Sequence, residues 1–568
     1  MQRDRLPYIL IPVVALVAVL PLIVHGCSCG HDFDFHILSW MEAARQFSHG
    51  NLHPHWAYTP AYNAGEPRFV FYPPLSWSIG AILGFVMPWT WTPIVYTWLA
   101  LTASGLALHR LARDFTTLTA ALLAATFYTV NPYMLFTAYE RTAYAELLAA
   151  AWIPMLLHAI LRDKVTIPRV AIPVALLWLT NAPAAVMSCY ALAFLALFRI
   201  THHELELRTQ RTRGEARGAG DSILPDALRT VAGTALGLGL AAFYILPAAY
   251  ERRYVQVAMA IIPNMRIQDN FLFHHTGDVP HDVVLHTASD LALLLLTLTV
   301  VAFTATALAV VRIIRMSRTG PSHGYRLVAP LATLAAAIAL LLTPSTAFIW
   351  NHAPEMAFLQ FPWRFLAILA AVLSLAAALA LIPLRLKPAL GIICSLVIAV
   401  ALTWPAYTAF RQACDEEDTV QARVALFHSS QGTDPTDEYT PATADNDSLA
   451  HADPGFWLSP NPNAKAPANS MTGPAPAHLS LNLTTPQTLI LNLREYPAWR
   501  IMLNQRVVTT REQRDDGLIA IPVPAGLSTL SIGYAQPGDQ TIGDILTLAS
   551  LAVLISLMLR TRKIQPAS

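Results

Sequence analysis

Apolar runs of about 20 residues recur along almost the whole chain, and nothing else in the sequence restricts its fold as strongly. A segment that long and that poor in charge matches the hydrocarbon thickness of a bilayer. Such runs fall near 7–25, 91–112, 116–137, 142–161, 166–181, 183–200, 229–250, 288–314, 327–349, 363–384, 388–409 and 542–559. Composition agrees, since 55% of the residues are hydrophobic and 13% are charged, against about 25% charged in soluble domains. The reading is a polytopic α-helical membrane protein of about 12 transmembrane helices. The net charge of +1, with no long basic stripe, gives no reason to expect a nucleic-acid partner.

Lysine and arginine set the expected orientation. Arg3 and Arg5 hold the start inside, so Met1 to Val24 reads as an uncleaved first span, with no small-x-small cleavage site after it. Arg110 with Arg113, Arg162 with Lys164, Arg208 to Arg217, Arg312 with Arg315, Arg385 with Lys387, and Arg560 to Lys563 then all fall on the cytoplasmic side. Arg252 and Arg253 are the main exception. Counting Pro73–Met87 as a span would move Arg110 and Arg113 outside, so 73–87 reads as an interfacial or re-entrant helix. Both termini are expected in the cytoplasm. Loop 26–72, turn 138–142, loops 251–287 and 350–362, and the stretch 410–541 are expected outside.

The domain plan follows. Residues 1–409 form the membrane domain, 410–541 an outer segment, and 542–568 a last span and tail. Residues 415–480, rich in Asp, Thr, Ser, Pro and Asn, read as irregular. Beyond them, Leu479–Leu483, Thr488–Leu493 and Gly526–Tyr534 alternate as half-buried strands do. Asp515-Asp516-Gly517 and Pro524-Ala525-Gly526 supply turns, so a β-sandwich is expected at about 478–536. The five cysteines are too few and too scattered for a disulfide framework or a zinc site.

Ionisable residues beside apolar runs carry the functional signal. The first outer loop holds Asp32-Phe-Asp34 with His31, His36 and Glu42. Carboxylates there can act as a general base or hold a divalent cation, and equally can cap a helix. Arg68 and Tyr72 follow before Pro73-Pro74; the arginine fork matches phosphate oxygens, and an arginine at headgroup level is equally common. Tyr139-Glu140-Arg141-Thr-Ala-Tyr144-Ala-Glu146 ends one span and begins the next. Glu146 lies inside that span, where a carboxylate is costly and needs a partner. Trp363 and Arg364 sit at the outer end of another. All these stretches map to one side, which points to one polar cavity at the outer membrane boundary.

These stretches resemble a known group. Asp32-Phe-Asp-Phe-His36, Phe71-Tyr-Pro-Pro-Leu75, Glu140 to Glu146 and Phe361-Pro-Trp-Arg-Phe365 are similar to the 6-pyruvoyl-tetrahydropterin synthase-related membrane protein family. Glu495-Tyr-Pro-Ala-Trp499 and the strands after it resemble the outer domain of YfhO-type proteins. The whole plan resembles the GT-C glycosyltransferases. That resemblance implies an inverting transfer of a sugar from a polyprenyl-phosphate donor to an envelope or lipid acceptor, outside the cytoplasmic membrane of a bacterium. It implies Asp32, Asp34 or Glu146 as catalytic acids or bases. It implies His36, Glu42, Arg68, Tyr72, Tyr139, Glu140, Arg141, Tyr144, Trp363 and Arg364 around the substrates. Asp32, Asp34 and His36 are residue types that hold Mg or Mn, whereas donors on a lipid monophosphate often need no metal. A lipid-linked glycan transporter or flippase, and a non-catalytic scaffold for envelope assembly, are the alternatives. A transporter would carry charges deep in several spans, whereas here the charges gather at the span ends.

Overall fold

A computed structural model describes residues 5–212, 224–316, 323–467 and 470–563. Among them, eight helices are long and apolar enough to cross a membrane, or nine if the pair Leu224–Leu240 and Ala242–Tyr254, bent by 75°, counts as one span. The twelve runs read from the sequence therefore do not all become long straight helices. The run at 116–137 divides into Leu118–Thr129 and Pro132–Tyr139. Pro132 cannot donate to the preceding turn, and the Asn131 side chain accepts from Tyr133 N at 3.0 Å, capping a new helix. Asn181 does the same between Ile167–Thr180 and Ala182–Thr212, accepting from Ala184 N at 2.9 Å. Part of the basic run Arg208–Arg217, and Arg315, fall where side chains or backbone lie outside the described residues.

Tyr144–Leu161 and Pro362–Leu384 are the most enclosed spans, with 83% and 78% of their apolar windows buried, against 11% for Gly538–Arg560. Glu146 and Arg364 lie near the start of those two enclosed helices. Pro74–Val86, with proline at its first position, has only 13 residues. At 1.5 Å per residue it is about 20 Å long, too short to cross.

Loop 26–72 is not extended chain. Asp32 occupies the position before the helix Phe33–Ser48, which begins inside the Asp-Phe-Asp-Phe-His stretch itself, and its side chain makes no capping hydrogen bond there. Gly30 lets this helix start close to the neighbouring turn: a Cβ on Gly30 would lie 2.0 Å from the Glu140 carbonyl oxygen. Asp32 N then donates to Arg141 O at 3.0 Å. A disulfide joins Cys29 to Cys414, where the sequence had given no reason to pair these two. Beside it Ser28 Oγ donates to Tyr139 O at 2.6 Å and accepts from Gln412 N at 2.8 Å.

Seven strands form two antiparallel sheets: β1 (Phe456–Ser459), β2 (His478–Leu483), β3 (Gln487–Arg494), β4 (Trp499–Leu503), β5 (Arg506–Val507), β6 (Leu518–Val523) and β7 (Gly526–Tyr534). One sheet has the order β1-β3-β6 and the other β2-β7-β4-β5. Leu489, Leu491, Ile501, Ile521 and Leu530 are buried together in the same core. Residues 415–480, read as irregular, contain β1 and the helix Val420–Phe427, whose first turn is capped by Thr419. Their pattern escaped the sequence reading because each element is short and is held by tertiary contacts. The sheets also meet the helices: Tyr496 OH, between β3 and β4, donates to the buried Glu251 carboxylate, which also accepts from Gln540 Nε2 of the last helix at 2.9 Å. Trp56 of the first loop packs against Tyr496 and Trp499.

Because the Cys29–Cys414 bond clasps segments 385 residues apart, the double variant Cys29→Ser, Cys414→Ser should lose about 2–4 kcal/mol of stability. Maleimide labelling of the denatured, unreduced protein, read by mass, should modify Cys27, Cys189 and Cys394, with two further thiols labelled only after reduction.

Candidate functional site

A cavity of about 1250 Å³ opens where the Phe33–Ser48 helix, the turn 138–142 and the start of the Pro362–Leu384 helix meet. Its floor is a charge cluster built around Glu146. Arg141 Nη1 meets Glu146 Oε2 at 2.6 Å, and Tyr133 OH donates to Glu146 Oε1 at 2.6 Å. Arg364 Nε lies 3.5 Å from the same carboxylate, too far for a good hydrogen bond. Arg141 Nη2 stands 3.8 Å from Asp32 Oδ2, and His31 Nδ1 lies 2.7 Å from Asp32 Oδ1. Glu146 is 4% exposed, Arg141 6% and Arg364 9%. Such burial is tolerable only because opposite charges meet within the cluster.

Two aromatic planes steer the guanidiniums. Arg141 lies over the Trp363 ring at 4.9 Å and Arg364 over Phe361 at 5.0 Å. Arg364 Nη1 also donates to Leu359 O at 3.0 Å. Three buried nitrogens on this wall have no hydrogen-bond partner: Arg364 Nε, Trp363 Nε1 and His36 Nδ1. Leaving such groups unpaired in an apolar setting costs about 1–3 kcal/mol each, so a polar occupant would gain from meeting them.

Burial pushes the Asp32 carboxyl up, but the His31 hydrogen bond and the Arg141 charge outweigh it and hold the group below the usual carboxylate range. Asp32 is therefore ionised at neutral pH. His36 goes the other way: burial lowers it to about 4, against a nearby Asp32 that favours the cation. Burial raises Asp34, with Arg423 opposing, and raises Glu140, with Gln412 opposing.

The structure brings Asp32, Asp34, His36, Tyr72, Glu140, Arg141, Glu146, Trp363 and Arg364 around this one cavity. Four residues expected to bind substrate do not line it. Glu42 is buried against Arg45 (2.5 Å), Gln46 (3.0 Å) and Thr59 (2.8 Å). Arg68 is taken up by Glu66 (2.7 Å), Ser39 (3.1 Å) and Thr436 (3.1 Å), under the Phe35 ring. Tyr139 OH donates to Ala18 O in the first span. Tyr144 packs among His36, Trp40 and Tyr96. Each has its partners inside the fold, which sequence spacing does not reveal.

Asp32, Asp34 and His36 do not make a cation site. On a helix, positions two apart diverge by about 200°, so Asp34 turns away from Asp32 and meets Arg423 at 2.6 Å, farther along the cavity lining. Guanidiniums stand where a cation would be needed. Among the described residues no group of three or more His, Cys, Asp or Glu side chains is arranged to hold a metal ion.

The far wall was missed in the sequence. Asn181, Asn264, Asn270 and His281 line it, as do Asp437 and Glu438 from the segment read as irregular. Only Asn181 carried a signal, as an Asn-x-Pro break inside an apolar stretch. Thr436 N donates to Glu66 Oε2 at 3.0 Å, which ties that segment to the Glu66–Arg68 pair behind the cavity.

No protein-family model and no curated protein matches this chain. Solved structures similar to it include arabinofuranosyltransferase AftD from Mycobacteria, at 17% identity over 71% of this chain and 27% of that one, with a TM-score of 0.41. A point mutant of the same enzyme gives 20% identity over 71% of this chain and 28% of that one, with a TM-score of 0.40. The chain thus spans little more than a quarter of the AftD structures it matches.

Two outcomes follow from the cluster. Glu146→Ala leaves Arg141 without its closest carboxylate and should cost about 3–5 kcal/mol, read as a lower melting temperature in detergent, with Glu146→Gln milder. Between pH 6.5 and about 4 an unfolded His36 binds a proton that the native one refuses, so native stability falls as the pH drops through that window. His36→Gln should flatten this part of the melting-temperature profile.

Proposed function

We propose that this chain is a membrane glycosyltransferase of the GT-C type, inverting, with a polyprenyl-phosphate-linked sugar as donor and an envelope or lipid hydroxyl as acceptor. The observation that carries this reading is the ionised Asp32 beside the Arg141 guanidinium, with Arg364 held on the same Glu146 cluster, in one large cavity at the ends of enclosed spans. Lipid-phosphate chemistry needs a base for an incoming hydroxyl and positive charge for a departing phosphate, within reach of the bilayer. The sequence resemblance of the Asp32–His36, Glu140–Glu146 and Phe361–Phe365 stretches supports the same assignment.

On this reading the acceptor hydroxyl oxygen attacks the anomeric carbon and forms the new C–O bond. The bond from that carbon to the phosphate oxygen breaks on the opposite face. Polyprenyl phosphate leaves carrying the electron pair, and the acceptor proton passes to Asp32. Because Asp32 is held as a weak base, its proton transfer falls late, once bond formation has acidified the hydroxyl. Arg364, whose Nε makes no hydrogen bond, is the group for the phosphate. Arg141, already bound to Glu146, holds the cluster together and faces Asp32. Glu146 keeps both arginines at cavity depth and is a positioning residue.

Placement of the cavity outside the cytoplasm rests on two supports. Basic residues at the other span ends follow the positive-inside pattern, and a Cys29–Cys414 disulfide is at home in an oxidising compartment.

The test is transfer from a panel of radiolabelled polyprenyl-phosphate sugars in proteoliposomes. Wild type should move label into product, Asp32→Asn should lose about 10²–10⁴-fold in kcat, and Arg364→Gln should weaken donor use. Donor consumption unchanged in Asp32→Asn, or no consumption of any donor, would remove the enzyme reading in favour of transport or scaffolding.

A further inference from the structure

A second polar recess, of about 600 Å³, lies at the other end of the bundle. The Tyr144–Leu161 span links the two: Glu146 sits near its start and Arg162 just past its end, 16 residues away, or about 24 Å along a helix. Arg110, Arg113, Arg162 and Arg326 wall this recess with Asp114 and Asp163, so guanidiniums outnumber carboxylates two to one. They come from three separate chain segments. Arg110 and Arg113 end the Thr92–Arg113 helix, Arg162 follows Leu161, and Arg326 lies in the turn His323–Leu327.

The two carboxylates are already in use. Asp114 meets Arg162 at 2.9 Å, His158 at 2.8 Å and Arg110 at 3.1 Å. Asp163 pairs with Arg326. Arg113 has no carboxylate partner among the described residues; its Nη1 donates to the Thr116 carbonyl at 3.2 Å. A carbonyl accepts a hydrogen bond but does not neutralise a charge. The recess therefore keeps an excess of positive charge over its carboxylates.

We infer that this recess binds a phosphate group, carried either by an anionic phospholipid headgroup or by a free phosphate anion. Guanidinium forks match phosphate oxygens in pairs, and basic pockets between span ends are suited to anionic headgroups. The site is separate from the outer cavity and does not depend on the transferase reading. Its occupant would cross-link three span ends and stabilise the bundle by mass action.

The experiment uses the full chain purified in a non-ionic detergent, with melting temperature followed during titration by cardiolipin, by phosphatidylcholine and by inorganic phosphate. Arg113→Gln breaks no ion pair and Arg326→Gln removes a second wall residue. Arg229→Gln, whose side chain pairs with Asp226 outside the recess and is 46% exposed, controls for general charge. Wild type and Arg229→Gln should show a saturable rise with cardiolipin, with phosphate, or with both. Each recess variant should need about tenfold more ligand for the same rise. A rise with cardiolipin alone assigns the headgroup, and a rise with phosphate alone assigns the free anion. Equal titrations for wild type and Arg113→Gln, or phosphatidylcholine acting as well as cardiolipin, would overturn the site.

Discussion

Glu146 is the residue the rest of the molecule is arranged around. Its carboxylate lies in the most enclosed span, where an unpaired charge would cost several kcal/mol. Arg141 reaches it from the turn before the same span, and Arg364 from the start of another. Tyr133 closes the second oxygen. These partners come from two other helices and the turn before the span, so satisfying one carboxylate fixes how those segments meet. The arginines in turn need the Trp363 and Phe361 faces. The polar floor of the cavity is thus also the joint of the membrane domain.

The face that carries the cavity is pinned onto that joint by several independent ties. Gly30 allows the Phe33–Ser48 helix to begin against Glu140, which sets Asp32 beside Arg141. The Cys29–Cys414 bond holds that start next to the end of the Pro388–Phe410 helix. Farther out, Glu66 receives Arg68 and the Thr436 amide, and so steadies the Thr436–Tyr439 part of the cavity wall. The sheets contribute through Tyr496, which donates to Glu251 beside Gln540 of the last helix. Their place in the molecule is support of the wall, since none of their strands lines the cavity.

The two ends of the bundle differ in their electrostatics. At the larger cavity the two guanidiniums, Arg141 and Arg364, stand among eight lining carboxylates and are buried, each restrained by Glu146. At the other end the arginines exceed the carboxylates and are more exposed; the Arg110 side chain is 65% exposed. The first arrangement suits a preorganised site in which donors wait for developing charge. The second suits reversible capture of an anion.

Hydropathy by itself determined that this chain belongs in a bilayer, because the length and apolarity of a spanning helix are local properties. It also located the strand-rich region, since period-two alternation is local, and it marked Asp32, Arg141, Glu146 and Arg364 as ionisable residues in costly places. Only the tertiary structure decided which of the marked residues share a cavity. Glu42, Arg68, Tyr139 and Tyr144 looked equivalent to the others in sequence, yet each is consumed by neighbours that are distant in the chain or buried beside it. The pairing of Cys29 with Cys414, the breaks at Asn131 and Asn181, and the wall supplied by Asp437 and Glu438 were likewise beyond the sequence. Burial and charge pairing depend on contacts between segments hundreds of residues apart, and periodicity within one segment carries no record of them.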